Sequence, residues 1–240
     1  SRRLSVRDYP HSPHPGGGLS DHRAGENFKP SILGRRFVPG HGRRMIQTST
    51  AVALRDFFFS VHADEMAAAL TRLDELTGQA PAVADWDAVE FGFNRLFVGP
   101  MALEAPPYAS VYLDPEPLLM GRSTLAVRDV YARLGLVSPA KNSLPDDHIA
   151  LELDACAGMR SALEHTPDDE LRELWRSFVQ EHMQQWVPHF ITRIEQSPET
   201  HPVFRYVGNR LREWLEAEAA AQPPLASRNA PNQEGDRYDD

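Results

Sequence analysis

The sequence predicts an all-α fold, a single helical domain of about seven or more helices with disordered N- and C-terminal tails. Three observations predict it. From Met45 onward apolar residues recur three and four apart, as in Met66, Leu70, Leu73 and Leu76. No stretch alternates apolar and polar residues as a half-buried strand would. The breaks between periodic segments carry helix punctuation, a Gly99-Pro100 stop and a Thr166-Pro167-Asp168-Asp169-Glu170 start.

In chain order, a first helix is expected from Thr48 or Ser49 to about Val61 and a second from His62 to Thr77, with Gly78 as its stop. A third, Asp85 to Val98, places Trp86, Val89, Phe93, Leu96 and Phe97 on one stripe. Residues 100–117 hold Pro100, Pro106, Pro107, Pro115 and Pro117 and read as an extended connection. Further helices are expected over Ser123–Leu134 and from Pro145 to about Glu164. The next starts with Thr166 as cap and Pro167 in the first position, and ends before Pro188. A last one spans Pro202 to Ala220, carrying Tyr206, Leu211, Trp214 and Leu215.

The ends read differently. Residues 1–44 have no apolar periodicity and hold nine Arg or Lys against three Asp or Glu, a surplus of six positive charges. They are expected to be a disordered basic leader, since they cannot bury enough surface to offset the entropy of ordering. An appended segment, or translated sequence upstream of a native start at Met45, accounts for them economically. Residues 45–220 form the expected domain, and 221–240 a disordered tail rich in Pro, Asn, Gly and Asp. Ser1-Arg2-Arg3-Leu4-Ser5-Val6 is not read as an export signal, because Asp8-Tyr9-Pro10-His11-Ser12-Pro13 follows where an apolar region of roughly 7–15 residues would be needed.

With a net charge of −9 overall, residues 45–240 carry −15. An acidic body speaks against nucleic acid and favours basic partners. No apolar run approaches the roughly 18 residues of a membrane span, so no membrane insertion is expected. The single cysteine, Cys156, allows neither an internal disulfide nor a multi-cysteine metal site, and a reducing compartment, the cytoplasm, is the simpler reading.

Motifs for catalysis are missing: no phosphate loop, no Gly-x-Ser-x-Gly, no Gly-x-Gly-x-x-Gly and no His-Glu-x-x-His. The chain is therefore expected not to be an enzyme and to carry no cofactor or metal. His182 and His189, seven apart with Pro188 between, fit one helix face poorly.

Two segments are more specific. Phe93-Asn94-Arg95-Leu96-Phe97-Val98-Gly99-Pro100 leads through Glu104 into Pro106-Pro107-Tyr108-Ala109-Ser110-Val111-Tyr112-Leu113-Asp114. Further on stands Pro145-Asp146-Asp147-His148. An aromatic, two residues, Leu-Phe, two residues and Pro, followed by Pro-(Asp/Glu)-Asp-His, resembles the two signatures of the TorD/DmsD family of redox-enzyme maturation chaperones. Gly121-Arg122-Ser123-Thr124-Leu125-Ala126 continues the likeness to the DmsD branch, with weaker echoes in Glu181-His182, Trp186 and His201-Pro202. Phe93 stands where the family often has Trp. The resemblance covers about residues 50–216.

It implies a cytoplasmic protein that binds the twin-arginine leader of a molybdopterin oxidoreductase catalytic subunit. Such a protein assists maturation of the precursor and holds it back from export until its cofactor is inserted. A leader with an arginine pair and an apolar stretch calls for a hydrophobic groove rimmed by carboxylates. Phe93, Leu96, Phe97, Pro100, Pro107, Tyr108, Ser110 and Tyr112 are candidates for its wall. Glu104, Asp114, Asp146 and Asp147 are candidates for receiving guanidinium groups, with Pro145 and His148 beside them. Residue by residue a plainer reading stands alongside: the aromatic stripe as core, and Asp146 and Asp147 as first-turn carboxylates of a helix. Two other readings stay open, a GTP-binding or weakly GTP-hydrolysing protein and a partner of the mature oxidoreductase independent of its leader. A monomer and a domain-swapped dimer are both compatible with the sequence.

Overall fold

Helix α1, Gly42–Phe59, starts earlier than its apolar period suggests and forms the spine of the protein with α6, Ile149–His165. The computed structural model describes residues 42–115, 121–135, 144–166, 168–198 and 200–221. Of the expected disordered tails, 1–44 and 221–240, residues 1–41 and 222–240 lie outside them; residues 42–44 do not fit the expectation, being the first residues of α1. Among the described residues the structure is all α-helical apart from an isolated bridge between Tyr108 and His148.

The other helices are α2 (Ala63–Thr77), α3 (Trp86–Phe93), the single turn α4 (Ser110–Leu113), α5 (Arg122–Arg133), α7 (Asp169–Ser177), α8 (Gln184–Gln196) and α9 (Pro202–Ala220). Wider π turns extend α3 over Asn94–Val98 and join α7 to α8 over Phe178–Met183. Polar caps set several starts. Glu65 accepts from the Val61 and His62 N–H groups ahead of α2, and Asp85 from Ala88 N–H in α3. No described helix is long and apolar enough to cross a membrane.

Phe57 and Phe58 of α1, Phe93 and Phe97, Phe190 of α8 and Phe204 of α9 meet with ring centroids 5.0–6.3 Å apart, mostly edge to face. Gly92 admits this packing, because a Cβ there would stand 2.9 Å from a Phe204 ring carbon. Arg55 is buried and bridges α1 to Asp154 of α6 at 2.8 Å, while Phe59 stacks on His148. Rising residue numbers in α1 thus meet falling ones in α6, and the two run antiparallel.

Four expectations need correction. The connection after Gly99 is not wholly extended, since residues 110–113 form α4. Residues 145–148 are not the first turn of α6: that helix begins at Ile149 with the His148 side chain as cap, because the preceding residues are held by another segment. Asp168 rather than Thr166 caps α7, its carboxylate accepting from Leu171 N–H at 3.0 Å; Pro167 lies outside the described residues. Helix also continues through Pro188. The π turn just before it shifts the hydrogen-bond register, and the ring faces solvent.

Candidate functional site

The two signature segments come together through backbone. Ala109 N–H donates to the Asp147 carbonyl at 3.0 Å, and Ile149 N–H donates to the Pro107 carbonyl at 2.9 Å. This short pairing keeps residues 145–148 out of the helix. It also buries three of their side chains, Asp146, Asp147 and His148.

Each carboxylate in this cluster is engaged, and most of the partners lie on α5. Asp147 is fully buried; one oxygen accepts from Ser110 N–H at 2.8 Å and the other from the Thr124 hydroxyl at 2.9 Å. Asp146 accepts from Arg128 Nε and Nη2 at 2.8 and 2.6 Å. Asp114 accepts from the Ser123 hydroxyl at 2.8 Å. One turn further, Asp154 accepts from the Tyr131 hydroxyl, which also reaches the Leu151 carbonyl. Residues 124, 128 and 131 recur at helical spacing, so one face of α5 is fastened along its length by carboxylates from other segments. Glu104 stands apart, paired with Arg95 at 3.4 Å and with the Ser197 hydroxyl.

The expected groove wall is partly core. Phe93, Leu96 and Phe97 are buried beneath the other phenylalanines, which fill the space a ligand would need. Pro107 is buried, its carbonyl used as above, and Ser110 is buried with its N–H on Asp147. Pro100 is exposed, and Pro145 and Tyr108 are half-buried. Tyr112 donates its hydroxyl to the Pro106 carbonyl, stacks on Trp186 at 5.6 Å and lies under the Arg193 guanidinium. Of the large apolar side chains that face water, three lie between and beside the expected ones. Phe91 is 72% exposed, Val98 62% and Met101 75%.

Behind Tyr112 runs a polar group that only partly announced itself in the sequence. The fully buried Glu152 accepts from Trp186 Nε1 at 3.0 Å and pairs with His182 Nε2 at 2.6 Å. His182 stacks on Phe178 at 5.1 Å. Burial opposes charge on this imidazole, but the Glu152 carboxylate, with Asp147 and Asp114 further off, outweighs it and raises the His182 pKa. Glu181-His182 and Trp186 stood out as echoes of the family pattern. Glu152 did not, although a carboxylate between Leu151 and Leu153 in an apolar helix is the signal that could have found it.

His148 behaves oppositely. It is enclosed by Phe59 and Tyr108, and burial alone lowers its pKa to about 3. The unfolded chain binds a proton near pH 6.5 that the fold refuses, so stability falls as pH drops below that value. Between pH 6.5 and 5 the loss from this one group should be about 2 kcal/mol. In His148→Gln, which keeps an acceptor at the cap, this part of the acid sensitivity should vanish from urea titrations at pH 7.5 and 5. An unchanged pH slope would show that His148 is protonated within the fold.

Nothing here assembles a nucleophile with a base. Burial pushes the Cys156 thiol well up, holding it protonated against Met183. Among the described residues no group of His, Cys, Asp and Glu is placed to hold a metal ion.

A family model described as the nitrate reductase delta subunit matches residues 62–192, more than half of the chain and both signature segments. The chain belongs to the TorD/DmsD family of redox-enzyme maturation proteins. A Tat proofreading chaperone DmsD of Haemophilus influenzae is 34% identical over 42% of this chain and 46% of its own length. The DmsD of Salmonella typhi is 32% identical over 50% of this chain and 55% of its own. A chaperone protein TorD of Aliivibrio salmonicida is 29% identical over 53% and 60%. The chain thus spans about half the length of the curated relatives it matches. In fold it is similar to a crystal structure described as a redox enzyme maturation protein from Archaeoglobus fulgidus, with a TM-score of 0.50 at 20% identity. That match covers 76% of this chain and 99% of the other.

Proposed function

We propose that this family member is a cytoplasmic chaperone. It binds the twin-arginine leader of a molybdopterin oxidoreductase subunit, assists maturation of the precursor, and delays export until the cofactor is in place. Residues 45–220 are the binding domain. The observation that carries the reading is the exposure of Phe91, Val98 and Met101 around the Gly99-Pro100 corner of the first signature, in a chain whose body is acidic. Three large apolar side chains left in water near one corner of the chain suit a surface that a partner covers, and a leader brings an apolar stretch together with positive charge. The names of the relatives, Tat proofreading chaperone and chaperone protein, support it.

In this reading Pro100, Tyr108, Tyr112 and Pro145 meet the peptide beside those exposed residues. Phe93, Leu96, Phe97, Pro107, Ser110, Asp146, Asp147 and His148 hold the surface from behind, with Glu104 and Asp114 at its margins. The test is calorimetry of a synthetic leader with an Arg-Arg head and an apolar stretch. Burying one large apolar side chain contributes roughly 1.5–3 kcal/mol. Phe91→Ser with Met101→Ser should therefore weaken binding by about a hundred-fold or more. The melting temperature should barely move, because both side chains are exposed. If the leader does not bind the unaltered protein, and a client lacking its leader is captured as well as the precursor, the chain serves the mature enzyme instead.

A further inference from the structure

A cavity of about 810 Å3 opens between α5 and α7 and ends at the π turn that follows α7. Its floor is apolar, made by Val130, Leu174 and Phe178. Its walls carry five carboxylates, Asp129, Asp169, Glu170, Glu173 and Glu181, against one guanidinium, Arg133. His182 stands at the inner end, in contact with the buried Glu152.

Some of these carboxylates already have partners. Asp129 pairs with Arg133, Asp169 with Arg172, and Glu173 and Glu181 with Arg176. These are short-range pairs with exposed carboxylates, screened by water and weakly held, so an incoming cation can replace them. Glu170 makes no ion pair among the described residues. The groove is thus an apolar trough with a negative rim, suited to adjacent arginines whose aliphatic stems lie on the floor while their guanidinium heads meet the rim.

Its position gives a second reason to connect it with the leader. One wall is α5, the helix fastened by Asp114, Asp146, Asp147 and Asp154. Arg128, on Asp146, immediately precedes Asp129 on the rim. At the inner end, the contacts from His182 through Glu152 and Trp186 lead to Tyr112 in the first signature. Both signatures are therefore tied to the groove through its supports.

We propose that the α5–α7 groove receives the arginine pair of the leader, while the apolar stretch lies on the surface around Phe91, Val98 and Met101. Asp146 and Asp147 act on binding as positioning residues, through α5, and never touch the guanidinium groups. This rests on the leader reading above and deepens it.

The experiment is a cycle of two peptides and three proteins, read by calorimetry. The peptides are a synthetic leader with an Arg-Arg head and the same leader with Gln-Gln. The proteins are the unaltered chain, the groove variant Glu170→Lys/Glu173→Lys, and the control Glu213→Lys/Glu216→Lys on α9, which makes the same charge change at exposed positions elsewhere. The groove variant should bind the Arg-Arg leader at least ten-fold more weakly, close to the affinity of the unaltered protein for the Gln-Gln leader. It should bind the Gln-Gln leader as the unaltered protein does, and the control should keep its preference for arginine. Unchanged Arg-Arg binding by the groove variant, or an equal loss in the control, would overturn the groove assignment and leave leader binding standing. No binding of either leader by the unaltered protein would instead remove the leader reading itself.

Discussion

Trp186→Ala should cost this protein about 5 kcal/mol, the largest loss expected from any single substitution considered. The ring is fully buried between Tyr112 and Phe190, and removing a buried Trp costs roughly 3–5 kcal/mol in lost transfer and cavity energy. Its indole N–H also leaves the buried Glu152, and a buried acceptor stripped of a donor adds about 1–3 kcal/mol. Against a total stability of about 5–15 kcal/mol the variant should sit near the unfolding threshold. Trp186→Phe keeps a buried six-membered ring but gives up the pyrrole edge together with its donor, so its loss should be smaller than that of Trp186→Ala. Urea midpoints of the two variants should rank unaltered, Phe and Ala in that order; a Trp186→Ala loss below about 2 kcal/mol would mean that the neighbours collapse into the space.

Asp147→Ala should be nearly as damaging, at about 3–5 kcal/mol. It removes two charge-assisted hydrogen bonds, each worth about 1.5–3 kcal/mol, and leaves Ser110 N–H buried without its acceptor. Asp147→Asn keeps an oxygen for Ser110, and the Thr124 hydroxyl can rotate to accept from the new amide, so about 1–2 kcal/mol is expected. This revises the view of Asp147 as a direct receiver of a leader's guanidinium, for which the folded chain leaves no open oxygen. Denaturation should rank unaltered, Asn and Ala in that order. Leader affinity should follow the order in which α5 loosens. Asp147→Ala that stays as stable as the parent yet loses the leader would return Asp147 to the contact surface.

Helices were legible because their causes are local. The 3.6-residue period of apolar positions and the caps around it act within a few residues. The last helix, expected over Pro202 to Ala220, spans those residues with His201 as its cap. The all-α class followed from the same signals. The family resemblance was legible for a different reason: its two signatures are contiguous strings.

What the sequence by itself could not determine was the job of each residue in those strings. Pro145-Asp146-Asp147-His148 has the composition of a helix start, and only pairing with residues some forty positions earlier holds it extended and turns its carboxylates inward. The Phe93, Leu96 and Phe97 stripe reads equally as core or groove, and the phenylalanines of α1, α8 and α9 settled it as core. Pro188 looks like a stop until a π turn moves the register ahead of it. The acidic trough between α5 and α7 has no local signature, because its walls come from stretches some forty residues apart in the chain. Periodicity and capping are short-range and written in order along the chain. Which carboxylate meets which partner depends on long-range packing, and only the folded chain decides it.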